Sequence, residues 1–328
     1  MYEAIKNFSA QFLFEPKIEN ETELPAATHF VVAGMGGSHL AADLINIRIP
    51  ELKLAVHHDY GLPLFDKDAY KENLFIASSY SGNTEETLDS YEKARAQEYA
   101  VAAISTGGKL LDYARRDRVP FIQLPDTGIQ PRAALGFSTR ALLKLFREDS
   151  ALHETRSLGE HLKPEEFEEQ GKALAERLRG KIPLIYTSRR NAPLGYAWKI
   201  KFNETAKIPA FCNNFPELSH NEMTGFDRAA STRDLSERMC VIMLKDARDG
   251  ERVQKRMDIT ATMLRERGVS VEALTLKEGI GFYTIFSTLL IADWTSYYTA
   301  LYYGVEPEEV PMVEELKKRI TLHGTDTN

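Results

Sequence analysis

Short apolar runs alternate with helical patterns through the first half of the chain. His29–Met35 (HFVVAGM) reads as a buried strand, and the turn Gly36-Gly37-Ser38-His39 leads into the helical stretch AADLINIRI. LAVHH, ending before Asp59, is a second apolar run. Asn73–Tyr80 (NLFIASSY) is a third, followed by the strongly helical GNTEETLDSYEKARAQ. YAVAAIST, KLLDYARR and VPFIQL continue the alternation. Strand-length apolar runs separated by helical segments predict a parallel sheet covered on both faces.

Turn formers crowd Pro125–Ala134 (PDTGIQPRAA), and a helix from about Arg132 to Arg147 is expected to close this unit. Charged helical segments then run to Gly180, with the domain boundary expected near Ala151–Lys163. Beyond it the scheme repeats. Ile182–Ser188, Cys240–Lys245 and Val269–Leu276 read as strands, with helices at about Pro193–Lys207 and Glu251–Arg267 between them. The repeat is one of architecture, since no motif recurs at a fixed spacing. The predicted fold class is therefore α/β, in two doubly wound domains of residues 1–155 and 156–328, each a parallel sheet flanked by helices. Ile280–Gly304 is the most apolar stretch, but Asp293 and many Ser, Thr and Tyr interrupt it, which predicts a buried helix rather than a membrane span.

Composition narrows the function. The 328 residues are 43% hydrophobic and 27% charged, ordinary for a globular chain with ample core. A net charge of −7 with no basic run argues against a nucleic-acid partner. The N-terminal MYEAIKNFSAQFLFEP lacks the apolar core of a signal peptide. Cys212 and Cys240 form neither a disulfide framework nor a zinc site, so reduced thiols in a cytoplasmic protein are expected. The pair His57-His58 points to opposite faces of a strand, and no further ligand stands at metal-binding spacing, so no metal is expected.

The densest chemical signal is Ser78-Ser79-Tyr80-Ser81-Gly82-Asn83-Thr84-Glu85-Glu86-Thr87, at a strand-to-helix junction. The helix start offers unpaired N–H groups and the positive end of its dipole. Hydroxyls of Ser79, Ser81 and Thr84 add donors, and Gly82 lets the backbone approach a small anion such as phosphate. A plain capping box of Asn83 with Glu86 explains fewer of these residues. Gly34-Met35-Gly36-Gly37-Ser38 is a second glycine-rich turn after a strand. It lacks GxGxxG spacing and a ribose-binding acid, which disfavours a nicotinamide cofactor. Its backbone at Gly36 and Gly37 could sit close to substrate, with Ser38 adding a hydroxyl.

Together these motifs resemble the SIS (sugar isomerase) family of phosphosugar-binding domains, and the whole chain resembles its two-domain branch, the bifunctional phosphoglucose/phosphomannose isomerases. GIQPRAALG around Arg132, KFNETAKIPA around Glu204, PELSHNE around His220 and the C-terminal VPMVEELKKRI follow in the same order. The resemblance implies two SIS domains, usually dimeric, that isomerise hexose 6-phosphates without a cofactor. It makes Ser38, Ser79, Ser81 and Thr84 the phosphate contacts and Arg132 the group stabilising the enediolate oxygen. Glu204 would be the base between C1 and C2, and His220 would assist ring opening, from the neighbouring subunit in such dimers. Lys317 matches a lysine of the terminal helix that reaches back to the site. Two positions depart from the family pattern: His39 stands where glycine is usual, and Val310 where a threonine is. The latter bears on whether both glucose and mannose phosphates are accepted.

The residues themselves are compatible with these roles. Helical periodicity puts Glu204 on a face with Tyr196, Ala197 and Ile200, where desolvation would suit a base; pairing with Lys207 is the plainer alternative. Arg132 follows Pro131 at an expected helix start, a poor place for a cation that merely offsets a dipole. By its polar surroundings alone His220 is a solvated loop histidine, and Glu217 and Glu222 beside it are helix-end charges. A pentose or heptose phosphate isomerase and a non-catalytic sugar-phosphate sensor stay open. The sensor would usually carry a DNA-binding segment, for which ~25 residues before the first strand leave little room. A glucosamine-6-phosphate synthase would need a glutaminase domain that this chain lacks.

Overall fold

A computed structural model describes residues 1–64, 72–227, 231–277, 279 and 281–323. The first sheet consists of β1 (His29–Ala33), β2 (Lys53–His57), β3 (Asn73–Ser78), β4 (Ala100–Ser105) and β5 (Phe121–Gln123), all parallel, in the order β2-β1-β3-β4-β5. The second holds β6 (Ile182–Ser188), β7 (Phe211–Phe215), β8 (Met239–Lys245) and β9 (Ser270–Thr275), also parallel, in the order β7-β6-β8-β9.

The unbroken apolar strands follow from burial on both faces. Alternate residues of the first sheet feed two cores. Val31, Ala33, Phe75, Ala77, Val101 and Ala103 pack into an outer one. Phe30, Val32, Leu74, Ile76, Ala102 and Ile104 pack into a larger inner one. The second sheet divides likewise, with Leu184, Tyr186, Val241 and Met243 in its own outer core. Its Ile185, Ile242 and Leu244 join the same inner core as the first sheet. That shared core locks the two sheets together.

Helices α1 (Tyr2–Lys6), α2 (Gly37–Arg48), α3 (Glu85–Ala96), α4 (Gly108–Arg116), α5 (Leu135–Leu145) and α6 (Asp149–His161) accompany the first sheet. The remainder are α7 (Glu168–Arg177), α8 (Ala192–Lys201), α9 (Arg233–Glu237), α10 (Glu251–Glu266), α11 (Phe282–Tyr303) and α12 (Pro311–His323). The apolar stretch around Asp293 forms α11, buried over most of its length. It packs so closely on α7 that a Cβ on Gly171 would lie 2.3 Å from the Trp294 Cβ. No helix among the described residues is long and apolar enough to cross a membrane.

Three local expectations change. The helix expected over Pro193–Lys207 is α8 followed by a π-helical turn, Phe202–Ala206. The helix expected from Arg132 begins at Leu135, and Arg132 sits in a short 3-10 turn, Pro131–Ala133. Strand β7 has no counterpart among the strands expected from the sequence. It is an edge strand whose Cys212, Asn213 and Asn214 are only partly buried, so it lacks the apolar run that marks its neighbours.

Candidate active site

In the first sheet the chain runs from β1 outward to β2, then crosses back to β3, so the C-terminal ends of β1 and β3 flank a crevice where ligands of such sheets bind. Both glycine-containing motifs lie there. The Ser38 hydroxyl accepts from the Tyr80 N–H at 3.0 Å, and the Ser78 hydroxyl donates to the Ser38 carbonyl at 2.9 Å. These bonds fasten the two turns to each other. Ser79 and Thr84 hydroxyls are 2.9 Å apart, and the Gly82 N–H donates to the Ser79 Oγ. No side chain caps α3, whose first turn starts beside Thr84. Asn83 is turned away from capping: its amide donates to the Ser81 carbonyl and its oxygen accepts from the Lys109 N–H. The result is a rim of hydroxyls and open N–H groups suited to a phosphate.

Glycine is required by contact at two points. A Cβ on Gly37 would lie 2.7–2.9 Å from the backbone of Pro131 and Arg132, so the glycine turn presses against the turn that carries Arg132. Gly82 has φ +70, and its Cβ would fall 1.8 Å from the Gly107 carbonyl oxygen.

Arg132 is 1% exposed, so it is not a surface arginine. Its Nε donates to the Thr205 hydroxyl at 3.1 Å and its Nη1 to a Glu204 carboxylate oxygen at 3.2 Å. Its Nη2 donates to the carbonyls of Pro307 at 2.7 Å and Glu308 at 3.0 Å. A guanidinium has five N–H donors, so these four bonds leave one on Nη1 for a further oxygen. Burial pulls the guanidinium below its usual pKa, opposed by the charges of Glu204 and Asp293.

Glu204 reaches Arg132 from the π-helical turn after α8. Its side chain is 33% exposed, so it is not the fully desolvated acid expected from α-helical spacing. The wider π turn rotates it off the stripe that buries Ala197 and Ile200 and towards Arg132. Lys207 binds the Glu204 carbonyl at 2.9 Å rather than its carboxylate. An open carboxylate beside a fixed guanidinium can exchange a proton with a carbon whose adjacent oxygen the guanidinium steadies.

The structure thus gathers Gly36, Gly37, Ser38, Ser79, Ser81, Gly82 and Thr84 at one crevice and joins Arg132 to Glu204 at its side. The other two expected residues are His220 and Lys317. His220 ends a 3-10 turn after β7, is exposed, and has no hydrogen bond or ion pair with Arg132 or Glu204 among the described residues. Glu222 stands at the first position of the following 3-10 turn, as a helix-end charge, and it also accepts from the Tyr186 hydroxyl and the Asn213 amide, which fastens this turn to β6 and β7. Lys317, on α12, bonds Glu314 at 2.8 Å. A cleft of about 840 Å³ between α12 and the π turn is lined by Glu204, Lys207, Val310, Met312, Leu316 and Arg319 among others, but not by Lys317.

Sequence reasoning passes over Thr205, Lys201 and Asp293. Thr205 sits next to Glu204 in the quoted motif. Asp293 carries a signal, since a lone acid within an apolar helix needs a buried partner. That partner is Lys201, at 2.5 Å.

The equivalent crevice of the second sheet, between the ends of β6 and β8, is acidic. Ser188 donates to Asp249 at 2.7 Å, Asn191 donates to Asp246 at 3.1 Å, and Arg248 pairs with Asp246. Burial pushes the Asp249 carboxyl above its usual range, with the Asp246 charge adding to the shift. A phosphate has no place beside two buried carboxylates.

Gly82→Ala tests the cup. The strained φ and the collision with Gly107 are expected to remove about 1.4 kcal/mol or more of phosphate binding, a tenfold rise in KM, while the near-UV spectrum stays native. Steady-state kinetics on a phosphorylated hexose measures it, and an unchanged KM would displace the phosphate from this turn.

The chain is similar to known proteins in sequence and in fold. Residues 167–320 match the family described as Bacterial phospho-glucose isomerase C-terminal SIS domain. The bifunctional phosphoglucose/phosphomannose isomerase of Caldicellulosiruptor bescii is 35% identical over 307 residues, covering 88% of each chain. That of Aquifex aeolicus is 32% identical over 330 residues, covering 98% of this chain and 99% of the other. In fold, the chain is similar to the crystal structure of a hypothetical protein from Thermus thermophilus, with a TM-score of 0.69 at 16% identity, over 99% of this chain and 88% of that one. On the strength of the full-length matches, this chain belongs to the bifunctional phosphoglucose/phosphomannose isomerase family.

Proposed function

We propose that the protein interconverts glucose 6-phosphate, mannose 6-phosphate or both with fructose 6-phosphate, and that the Arg132–Glu204 pair beside the serine cup carries out the chemistry. The cup holds the phosphate, and the open-chain sugar extends past Gly36 and Gly37 towards Arg132. Glu204 takes the proton from C2 of the aldose, and the electron pair left behind forms the C1=C2 bond. The spare Nη1–H of Arg132 steadies the charge on O1. A proton passes from O2 to O1, and Glu204 returns its own to C1, giving the ketose. Electrons and protons balance within the sugar, so the reaction calls for no redox cofactor. The observation that carries this reading is the 3.2 Å contact between a buried guanidinium with one uncommitted donor and a carboxylate that remains open to solvent.

Loss of C2 stereochemistry in the enediol makes both aldose epimers reachable in principle. Val310 lines the cleft by Glu204 with a methyl surface where a hydroxyl would help ring opening, which supports a narrower choice of epimer. The assignment of residues 1–155 and 156–328 as the two domains, and a cytoplasmic location consistent with free Cys212 and Cys240, belong to the same reading.

A homodimer completes it. Among the described residues His220 has no hydrogen bond or ion pair with Arg132 or Glu204 of its own chain, and α12 leaves Met312 85% and Leu316 58% exposed, as a helix awaiting cover does. A second copy would cover this face and bring its His220 to the site.

Fructose 6-phosphate offered to the purified protein should yield glucose 6-phosphate or mannose 6-phosphate, with the two products measured separately. Glu204→Gln should lower kcat by ~10²–10⁴, or about 3–5 kcal/mol of barrier, with the fold intact. Near-normal turnover in that variant removes Glu204 from the role of base. Mixing and reassembling inactive Glu204→Gln and His220→Ala chains should restore about a quarter of wild-type activity, because half the dimers are mixed and one of their two sites is whole. No recovery would return His220 to its own subunit, and a His220→Ala chain that is active by itself would return it to a solvated loop.

A further inference from the structure

Asp293 and Lys201 are the most deeply buried opposite charges in the described chain that the proton transfer does not use. Asp293 is 4% exposed in the middle of α11, and Lys201 is 2% exposed at the last turn of α8. The Lys201 ammonium lies 2.5 Å from the Asp293 carboxylate and also donates to the main-chain carbonyl of Arg132 at 3.4 Å. Thr205, four residues after Lys201, binds the Arg132 Nε. The 3-10 turn of Arg132 is thus gripped by its carbonyl from the last turn of α8 and by its side chain from the π turn that follows. Across this region the charges alternate from Glu204 to Arg132 to Asp293 to Lys201.

A lysine buried beside a buried arginine is repelled by it, and Asp293 offsets that repulsion. Burial raises the Asp293 carboxyl above its usual range, while Lys201 first and Arg132 after it pull it back. As a stabilising device the arrangement is poor. Two desolvated charges in an apolar helix bundle contribute no more than well-packed apolar side chains of similar volume would. What apolar side chains cannot do is hold a carbonyl.

We propose that Lys201 and Asp293 are positioning residues: the pair holds the Arg132 turn against α8 and so fixes the direction in which the guanidinium presents its spare N–H to substrate. This rests on the assignment of Arg132 as the donor to the enediolate. It sets catalytic geometry in residues that never touch the sugar.

The test replaces the whole pair, because removing one partner would strand a buried charge and could unfold the chain. In Lys201→Met/Asp293→Val the melting temperature should equal or exceed that of the wild type. KM for fructose 6-phosphate should stay within about twofold while kcat falls about tenfold or more, since an interaction made only in the transition state is lost. Should that variant fail to fold, Lys201→Gln/Asp293→Asn keeps a neutral polar pair and is read in the same way. On an Arg132→Ala background the pair replacement should lower kcat no further, because its effect passes through Arg132. Wild-type kcat in a folded pair variant, or a full additional loss on the Arg132→Ala background, overturns the pair while leaving the arginine in place. Undiminished turnover in Arg132→Ala alone overturns the arginine's own assignment instead.

Discussion

A guanidinium cannot be left in a protein interior without acceptors, and the arrangement of this molecule around Arg132 answers that need. Its four bonds end on two separate stretches of chain: Glu204 and Thr205 after α8, and Pro307 and Glu308 after α11. The arginine itself belongs to the turn before α5, on the side of the first sheet. Both halves therefore have to pack on one inner core before Arg132 can be satisfied. Buried ion pairs of this kind add little net stability, since desolvation costs several kcal/mol per ion. Their value here is placement. The proposed base, Glu204, and the proposed donor, Arg132, come from different halves of the chain, and the contact between them is 3.2 Å.

The two sheets share a winding but divide the work. In the first, the crevice between β1 and β3 is built from hydroxyls, glycines and an uncapped helix start. In the second, the matching crevice is filled by its own side chains, with Ser188, Asn191 and Arg248 occupied by Asp249 and Asp246. The second half instead contributes the helix that follows its first strand, which ends in the π turn bearing Glu204.

Much of the site is legible in the sequence because its signals are local. Strands of the first sheet are continuous apolar runs, and the serine-rich turn lies where a strand meets a helix, so both can be read along the chain. The paired glycine turns are recognisable, but their reason is not. Gly37 is glycine because Pro131 and Arg132 lie against it from nearly a hundred residues away. β7 escapes notice because an edge strand with Asn213 and Asn214 has no apolar run. Helical spacing overstates the burial of Glu204 because a 3.6-residue period does not foresee a π turn. His220 is placed by motif alone, and its proposed geometry depends on a second copy that one chain cannot contain. Asp293 is visible as an interruption, but only the folded structure supplies Lys201 as its partner.

The most direct test is a crystal structure with a non-reacting hexose 6-phosphate analogue, such as the corresponding hexitol 6-phosphate, bound. Its phosphate should rest on Ser38, Ser79, Ser81 and Thr84, with the Glu204 carboxylate about 3–3.5 Å from C1 or C2 and an Arg132 nitrogen on the adjacent oxygen. A phosphate in that cup with C1 and C2 directed away from Glu204, or bound at another place, would contradict the joint site of the two halves.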